Sequence, residues 1–167
     1  MKKDKAHFLS ILEKNKQIIF KVCNIYCQNR EDQKDLVQDI IIQLWNSFHK
    51  YDDQYKLSTW IYRISLNVAI SFYRKTSLRH RKIAYLDDNF LQIAEENDQE
   101  MMEDIKLLKQ FIHELDELNK GLMMLYLDNN SYEEIGAVLN ISPTNVGTKI
   151  NRIKQKLKKQ FKNIETS

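Results

Sequence analysis

Apolar residues recur at helical spacing through most of this chain, and helix breakers are scarce. Periodic stretches cover about 8–28, 31–48 and 59–75, and a further unit runs from about 105 to 161. Spacings of three and four residues place apolar side chains on one side of a helix. Because the 167 residues include only 3 Gly and 1 Pro, few of the turns of an all-β fold can form. We therefore predict an all-α fold.

The charge of the chain is segmented, although its formal net value is only +3. Residues 74–82 are basic, residues 87–104 are acidic, and residues 149–162 are basic again. The helical periodicity decays into acid-rich sequence between 76 and 104, a composition typical of linkers. We predict two small helical domains, an N-terminal helical bundle at 1–75 and a C-terminal helix-turn-helix domain at 105–167. A flexible acidic linker, 76–104, joins them.

Cys23 and Cys27 stand four residues apart in a helical stretch, with no second pair of cysteines elsewhere. This arrangement favours buried structural thiols over a disulfide framework or a four-ligand zinc site. The charged N-terminus lacks the apolar core of a signal peptide, and no apolar run reaches the roughly 20 residues of a membrane span. We expect a protein of the reducing cytoplasm.

A short segment near the C-terminus carries the signals of two helices joined by a tight turn. Ser131 and Glu134 have the spacing of a capping box, which starts a short helix that ends at Asn140. Ser142 can cap the following helix, and Pro143 suits its first position. The inward residues of the short helix are Ile135, Val138 and Leu139. The pattern predicts a helix-turn-helix.

The second helix of this motif has one apolar and one polar side. The apolar side consists of Val146, Ile150, Ile153, Leu157 and Phe161. The polar side consists of Thr144, Asn145, Thr148, Lys149, Arg152, Gln155, Lys156 and Lys159. Amides, hydroxyls and cations suit base edges and phosphates in a DNA major groove, whereas the alternative is a merely solvated amphipathic helix.

The second periodic stretch buries one face and presents another with mixed chemistry. The apolar face consists of Leu36, Val37, Ile40, Ile41, Leu44 and Phe48. On the other face, Ile42 and Trp45 lie among Asp35, Gln38, Asp39 and Asn46. Apolar anchors inside a polar rim indicate a protein-docking surface, unless Trp45 packs under a neighbouring helix. A catalytic pair of Asp35 and Asp39 is less favoured, because no His, Lys or Gly-rich loop completes a site.

The third stretch combines aromatic residues with cations. Its periodicity predicts Ile61, Ile64, Val68 and Phe72 as the buried set, with Arg63, Asn67 and Arg74 on a different side. Rings that stack on bases beside cations that meet phosphates are typical of single-stranded DNA sites. The alternative is that most of these rings, including Trp60, belong to the core.

Four blocks of the chain resemble the extracytoplasmic-function sigma factors, which retain only regions two and four of the larger sigma factors. The first domain carries DLVQDIIIQLW (35–45) and STWIYRISLNVAISFYRK (58–75). The second carries SYEEIGAVLNIS (131–142) and NVGTKINRIKQKL (145–157). A lone helix-turn-helix occurs in many regulators, whereas these paired blocks in this order are specific to the family.

The resemblance implies a site on each of three helices. The set implied to dock on the clamp helices of the largest polymerase subunit is Asp35, Gln38, Asp39, Ile42, Trp45 and Asn46. The set implied to capture the melting minus-10 element is Lys56, Ser58, Thr59, Arg63, Asn67, Arg74 and Lys75. The set implied to enter the minus-35 major groove is Thr144, Asn145, Thr148, Lys149, Arg152, Lys156 and Lys159.

The resemblance also implies that the linker threads through the polymerase cleft toward the RNA exit path. Catalysis would stay with the polymerase, so no metal, cofactor or small-molecule substrate is expected. The partners would be bacterial core RNA polymerase, promoter DNA and a separate anti-sigma factor, with the free chain a monomer. Two other functions compete with this one: an autonomous helix-turn-helix regulator, and an enzyme with an acidic site at Asp35 and Asp39.

The chain departs from the family pattern in its helix-turn-helix. Gly136 and Asn140 stand where the family often has Ala and Gly, and Asn tolerates the left-handed conformation. Asn145 and Gly147 stand where Thr and a basic residue are common. Gly147 should cost about 1 kcal/mol of helix propensity and removes one possible contact. The promoter sequence of a relative therefore does not transfer to this chain.

Overall fold

The computed structural model describes residues 4–80 and 99–165, which are helical with no strand in either range. The helices are α1 (Lys5–Tyr26), α2 (Arg30–Ser47), α3 (Leu57–His80), α4 (Gln99–Glu114), α5 (Glu117–Leu127), α6 (Tyr132–Leu139) and α7 (Pro143–Glu165). A 3-10 helix, Phe48–Lys50, follows α2. The chain divides into two compact units, Met1–Ile93 and Ala94–Ser167. The predicted all-α fold with two helical domains is confirmed.

The first unit is a bundle of α1, α2 and α3, in which each helix packs against the other two. Asp4 caps α1, since its Oδ1 accepts a hydrogen bond from the Ala6 amide at 3.1 Å. Asn29 caps α2 in the same way, through the Asp32 amide at 2.8 Å. The buried residues of α2 are Leu36, Ile40 and Leu44, three of the six predicted for its apolar face. The other three, Val37, Ile41 and Phe48, are half-buried.

The side of α3 that enters the core differs from the predicted one. Of the predicted set, only Ile61 is buried, whereas Ile64, Val68 and Phe72 are half-buried. The buried residues are instead Thr59, Ile61, Tyr62, Ser65, Leu66 and Ala69. Because apolar residues lie on both sides of α3, the period alone cannot select the inner side. Small side chains at 65 and 69 allow neighbouring backbones to approach closely, which favours the observed side.

The second unit is built around α5, α6 and α7. Asp116 caps α5 through the Asn119 amide at 2.9 Å, and the helix buries Leu122, Met123, Met124 and Leu125. The core is completed by Phe111 of α4, Ile135 and Val138 of α6, and Val146, Ile150 and Ile153 of α7. The helix α6 is short, and α7 packs against both α6 and α5.

The helices extend into the predicted linker from both ends. Helix α3 continues beyond residue 75 to His80, and Thr76 Oγ1 donates a hydrogen bond to the Phe72 carbonyl oxygen at 3.0 Å. Helix α4 begins at Gln99 rather than near 105. Neither extension contains Gly or Pro, and the acidic residues at the start of α4 favour a helix N-terminus. Residues 81–98, the middle of the predicted linker, lie outside the described residues.

In the two described ranges, no helix is long and apolar enough to cross a membrane.

Candidate functional site

The turn between α6 and α7 is held by its own side chains. Ser131 Oγ accepts a hydrogen bond from the Glu134 amide at 3.1 Å, and Glu134 Oε2 accepts one from the Ser131 amide at 2.9 Å. Asn140 ends α6 in the left-handed conformation, with φ 58° and ψ 46°. Ser142 Oγ accepts from the Asn145 amide at 3.1 Å and so caps α7. The predicted helix-turn-helix, with its capping box, is confirmed.

Gly136 permits the tight passage of the chain through this turn. A Cβ at position 136 would lie 2.5 Å from the backbone oxygen of Ile141, which real Cβ atoms essentially never do. The Ile141 amide donates a hydrogen bond to the Gly136 carbonyl oxygen at 3.1 Å, so the two residues are tied to each other. The position of α7 relative to α6 therefore depends on a residue without a side chain at 136.

The polar side of α7 is open to solvent, as predicted from its sequence. Of the predicted minus-35 residues, Lys149 is half-buried, and the exposed ones are Thr144, Asn145, Thr148, Arg152, Lys156 and Lys159. All four cations of this set border a shallow groove of about 390 Å³ that also includes Asn119 of α5. The combination of hydroxyls, amides and cations on one exposed side of a helix suits the edges and backbone of duplex DNA.

One edge of α7 carries a cluster that the sequence analysis missed. Lys154 Nζ donates a hydrogen bond to Tyr126 Oη at 2.6 Å and lies 4.6 Å from the centre of the Tyr126 ring. This hydrogen bond, together with the nearby Tyr126 and Tyr132 hydroxyls, raises the pKa of Lys154 above its ordinary value. Position 147 adjoins the Tyr132 ring, because a Cβ there would lie 3.3 Å from that ring. Lys154 and Tyr126 are 28 residues apart, so no local pattern could have indicated their pairing.

The outer face of α2 is centred on an exposed isoleucine. Ile42 is 57% exposed, and Asp35, Gln38, Asp39 and Asn46 are exposed around it. Trp45 lies at the margin of this face and is half-buried, because its ring packs edge-on against buried Phe8 at 5.0 Å between centroids. Trp45 is thus partly packed under a neighbouring helix, which was the alternative to an exposed anchor, and Ile42 is the exposed apolar residue of the face.

A groove of about 490 Å³ between α2 and α3 joins two predicted sites. From α2 it includes Asp39 and Ile42 of the predicted polymerase-docking set, and from α3 it includes Asn67 and Lys75 of the predicted minus-10 set. The remaining lining residues are Gln43, Ile64, Val68, Ser71 and Phe72. Three of the four apolar side chains of α3 that the period had assigned to the core, Ile64, Val68 and Phe72, therefore line this surface groove.

The predicted minus-10 residues differ in their exposure. Lys56, Asn67, Arg74 and Lys75 are exposed, and Ser58 and Arg63 are half-buried. Thr59 is only 8% exposed, since it lies on the inner side of the first turn of α3. We therefore leave Thr59 out of the set proposed to contact DNA.

The loop before α3 is ordered by aromatic packing. The half-buried Trp60 lies 5.3 Å from the Tyr51 ring and 6.4 Å from the Phe48 ring, measured between centroids. Tyr51 Oη donates a hydrogen bond to the Tyr55 carbonyl oxygen at 3.0 Å. The Tyr55 side chain itself is exposed. Trp60 thus links the loop to the bundle.

Both cysteines are buried in α1 or directly after it, as predicted. Burial raises the pKa of Cys23 and of Cys27 to about 12, so both thiols remain protonated near neutral pH. In the part of the chain that the structure describes, no three His, Cys, Asp or Glu side chains form a group that could hold a metal ion.

Comparison with known families matches both units. Residues 11–79 match Sigma-70 region 2, and residues 105–157 match Sigma-70 region 4. The ECF RNA polymerase sigma factor SigW of Bacillus subtilis is 28% identical over 178 residues, covering 98% of this chain and 93% of the relative. The ECF RNA polymerase sigma factor SigM of the same organism is 27% identical, covering 75% of this chain and 77% of the relative.

Two solved structures have a similar fold. CnrH in complex with the cytosolic domain of CnrY aligns with a TM-score of 0.68 at 17% identity, covering 96% of this chain and 90% of that one. The sigma factor RpoE from Bartonella quintana, in complex with the anti-sigma factor NepR, aligns with a TM-score of 0.64 at 18% identity, covering 95% and 96%. The sequence matches, in the expected order on two helical units, establish that this chain is an extracytoplasmic-function RNA polymerase sigma factor with regions 2 and 4.

Proposed function

We propose that this sigma factor divides its contacts between three helices, with α2 docking on core RNA polymerase, α3 engaging the minus-10 element and α7 reading the minus-35 element. The observation that carries the proposal is the outer face of α2, where the exposed Ile42 is surrounded by four exposed polar residues. An autonomous regulator that needs only a helix-turn-helix has no use for such a face.

The docking set on α2 is Asp35, Gln38, Asp39, Ile42, Trp45 and Asn46. Ile42 supplies the apolar contact, and the charged rim supplies complementarity and speeds association. Trp45 contributes mainly by packing α2 against Phe8 of α1, which fixes the orientation of the docking face.

The minus-10 set, without Thr59, is Lys56, Ser58, Arg63, Asn67, Arg74 and Lys75. Its cations suit the phosphates of a melted strand, and unstacked bases require aromatic or apolar surfaces nearby. Asn67 and Lys75 border the same groove as Asp39 and Ile42. The DNA-binding surface of α3 and the polymerase-docking surface of α2 are therefore adjacent. We propose that residues 1–75 perform both functions.

The minus-35 set is Thr144, Asn145, Thr148, Lys149, Arg152, Lys156 and Lys159, on a domain at 105–167. Residues near the start and middle of α7 contact bases, and Lys156 and Lys159 contact phosphates. One helix-turn-helix with few phosphate contacts binds duplex DNA weakly and with strong salt dependence. Tight promoter binding therefore requires the polymerase, which also supplies all catalysis.

A protein inhibitor is a further expected partner. CnrH was solved with the cytosolic domain of CnrY, and RpoE of Bartonella quintana with the anti-sigma factor NepR. We propose that an anti-sigma factor likewise regulates this chain, which is otherwise a monomer in the cytoplasm.

Binding to core polymerase tests the proposal. The purified chain should co-elute with bacterial core RNA polymerase on size exclusion, and Ile42→Ala should weaken the complex by about tenfold. Leu9→Ala is the matched control, because Leu9 of α1 is a similarly exposed apolar residue outside the docking face. Equal losses for both variants would remove the docking assignment of α2. A chain that ignored core polymerase and bound one operator tightly at physiological salt would replace the whole proposal with an autonomous regulator.

A further inference from the structure

The polar side of α7 has two edges, and the cations proposed above occupy only one of them. At 100° per residue, Lys149 and Lys156 lie on one edge, and Gly147 and Lys154 lie on the other. The major groove is about 12 Å wide and is bounded by the backbones of both strands. A helix seated in it presents its two edges to phosphates of different strands.

The second edge carries a cation whose position is already fixed. Tyr126 Oη accepts one hydrogen bond from the Lys154 ammonium, at 2.6 Å. An ammonium has three N–H donors, so two remain for a ligand. Lys154 is partly exposed. A lysine side chain normally loses conformational entropy when it binds a ligand. Because the hydrogen bond with Tyr126 already restrains Lys154, its entropy loss on binding should be smaller.

Tyr132 adds a second polar group to the same edge. Tyr132 is 39% exposed, and its ring adjoins Gly147, where a Cβ would lie 3.3 Å from the ring. Tyrosine hydroxyls and lysine ammonium groups both occur commonly among phosphate contacts in protein–DNA complexes. Because Gly147 has no side chain, the Tyr132 ring can lie beside α7 at the position where the family commonly has a basic residue.

We propose that Lys154 and Tyr132 bind a backbone phosphate of the DNA strand opposite to the one contacted by Lys149 and Lys156, with Tyr126 as the positioning residue for Lys154. This inference rests on the proposed placement of α7 in the minus-35 major groove. It assigns the second edge of α7 to DNA backbone binding, so that the helix is held from both walls of the groove. The Tyr126–Lys154 pair also links α5 to α7, and the experiment must separate that packing role from DNA binding.

The experiment uses holoenzyme reconstituted from core polymerase and the full chain. The probe is a promoter duplex recovered by sequencing the transcripts that this holoenzyme makes from genomic DNA. Lys154→Gln keeps a polar side chain at this position but removes the charge. Lys106→Gln, on the exposed part of α4, is the matched control for the loss of one charge in the same unit. Thermal unfolding of each free variant reports the packing role.

Lys154→Gln should weaken binding to all minus-35 sequence variants alike. The ratio of wild-type to Lys154→Gln affinity should fall by about threefold between roughly 50 and 200 mM KCl, because the variant releases one fewer counterion on binding. Tyr126→Phe keeps the charge, so its salt dependence should match that of the wild type while binding weakens by about twofold to fivefold. Lys106→Gln should bind as the wild type does.

Two results would overturn the inference. One is a Lys154→Gln variant that binds with wild-type affinity and salt dependence, whether or not it unfolds earlier, since this would restrict Lys154 to packing. The other is a loss of promoter affinity in Lys154→Gln that equals the loss in Lys106→Gln, since equal losses would reflect the change in net charge alone. A wild-type chain that formed no active holoenzyme would instead contradict the proposed function, before any variant is compared.

Discussion

Gly136 lies so close to Ile141 that a Cβ at position 136 would stand 2.5 Å from the Ile141 backbone oxygen. Gly136→Ala must therefore shift the backbone of the turn, and overpacking of this kind costs about 1 to 3 kcal/mol. We expect the free energy of unfolding of the second unit to fall by that amount in urea titration followed by circular dichroism. DNA binding should weaken as well, since the turn sets the direction of α7.

Gly147→Ala provides the contrasting substitution in the same motif. Its Cβ would meet only the exposed Tyr132 ring, at 3.3 Å, and a side chain can move where a backbone oxygen cannot. Alanine is also favoured over glycine inside a helix by about 1 kcal/mol. We expect a neutral or slightly raised free energy of unfolding. A loss as large as that of Gly136→Ala would contradict the assignment of the tight contact to position 136.

Substitutions of Ile42 and Trp45 should have different effects on the stability of the bundle. Trp45→Ala removes the ring that packs on Phe8, and we expect the free energy of unfolding to fall by roughly 2 kcal/mol, below the cost for a fully buried Trp. Ile42→Ala should change it by less than about 0.5 kcal/mol, because the side chain is mostly exposed. Melting curves of both variants check this, and a strongly destabilised Ile42→Ala would show that Ile42 is a core residue.

The local signals of the sequence predicted most of the helix-turn-helix. Ser131, Glu134, Asn140 and Ser142 act within a few residues of their own positions, so their roles can be read from spacing. The buried residues of α2 could also be predicted, because most of its apolar residues lie on one side, and Ile42 and Trp45 are the exceptions. In α3, apolar residues on both sides left the choice to tertiary packing, and only Ile61 of the predicted buried set is buried.

Contacts between distant residues lay beyond any local pattern. The packing of Trp45 on Phe8, the hydrogen bond of Lys154 with Tyr126 and the burial of Thr59 all depend on how helices are placed against each other. The shared groove of Asp39, Ile42, Asn67 and Lys75 is of the same kind. The exposure of most candidate residues agrees with the sequence pattern, whereas their grouping into surfaces required the fold.

Arg152 and Lys159 should differ in how they affect promoter choice. Both are exposed on α7; Arg152 lies nearer the middle of the helix, where we propose that side chains contact bases, and Lys159 lies farther along. Arg152→Ala should change the ranking of minus-35 variants, with differences of about 1 to 3 kcal/mol. Lys159→Ala should weaken all variants about equally. Binding of holoenzyme to a panel of minus-35 variants tests the division, which equal losses for both substitutions would refute.

The buried thiols make a prediction about reactivity and pH. With pKa values of about 12, Cys23 and Cys27 should resist a thiol reagent at pH 8 in the folded chain and react after denaturation. Their folded pKa lies above the ordinary value of 9.0, so the stability that burial of the neutral thiols contributes is present below about pH 9. It is lost as the pH rises toward 12. Cys23→Ala should reduce the stability lost across that range, and rapid reaction of the native thiols at pH 8 would contradict their burial.

Transcription from genomic DNA by core RNA polymerase, with and without the purified chain, is the most direct test of the central claim. We expect transcripts that appear only when the chain is present, with start sites at a fixed distance from two shared sequence blocks, and that decline with Ile42→Ala. Unchanged transcription by core polymerase, together with tight operator binding by the chain alone, would contradict its function as a sigma factor.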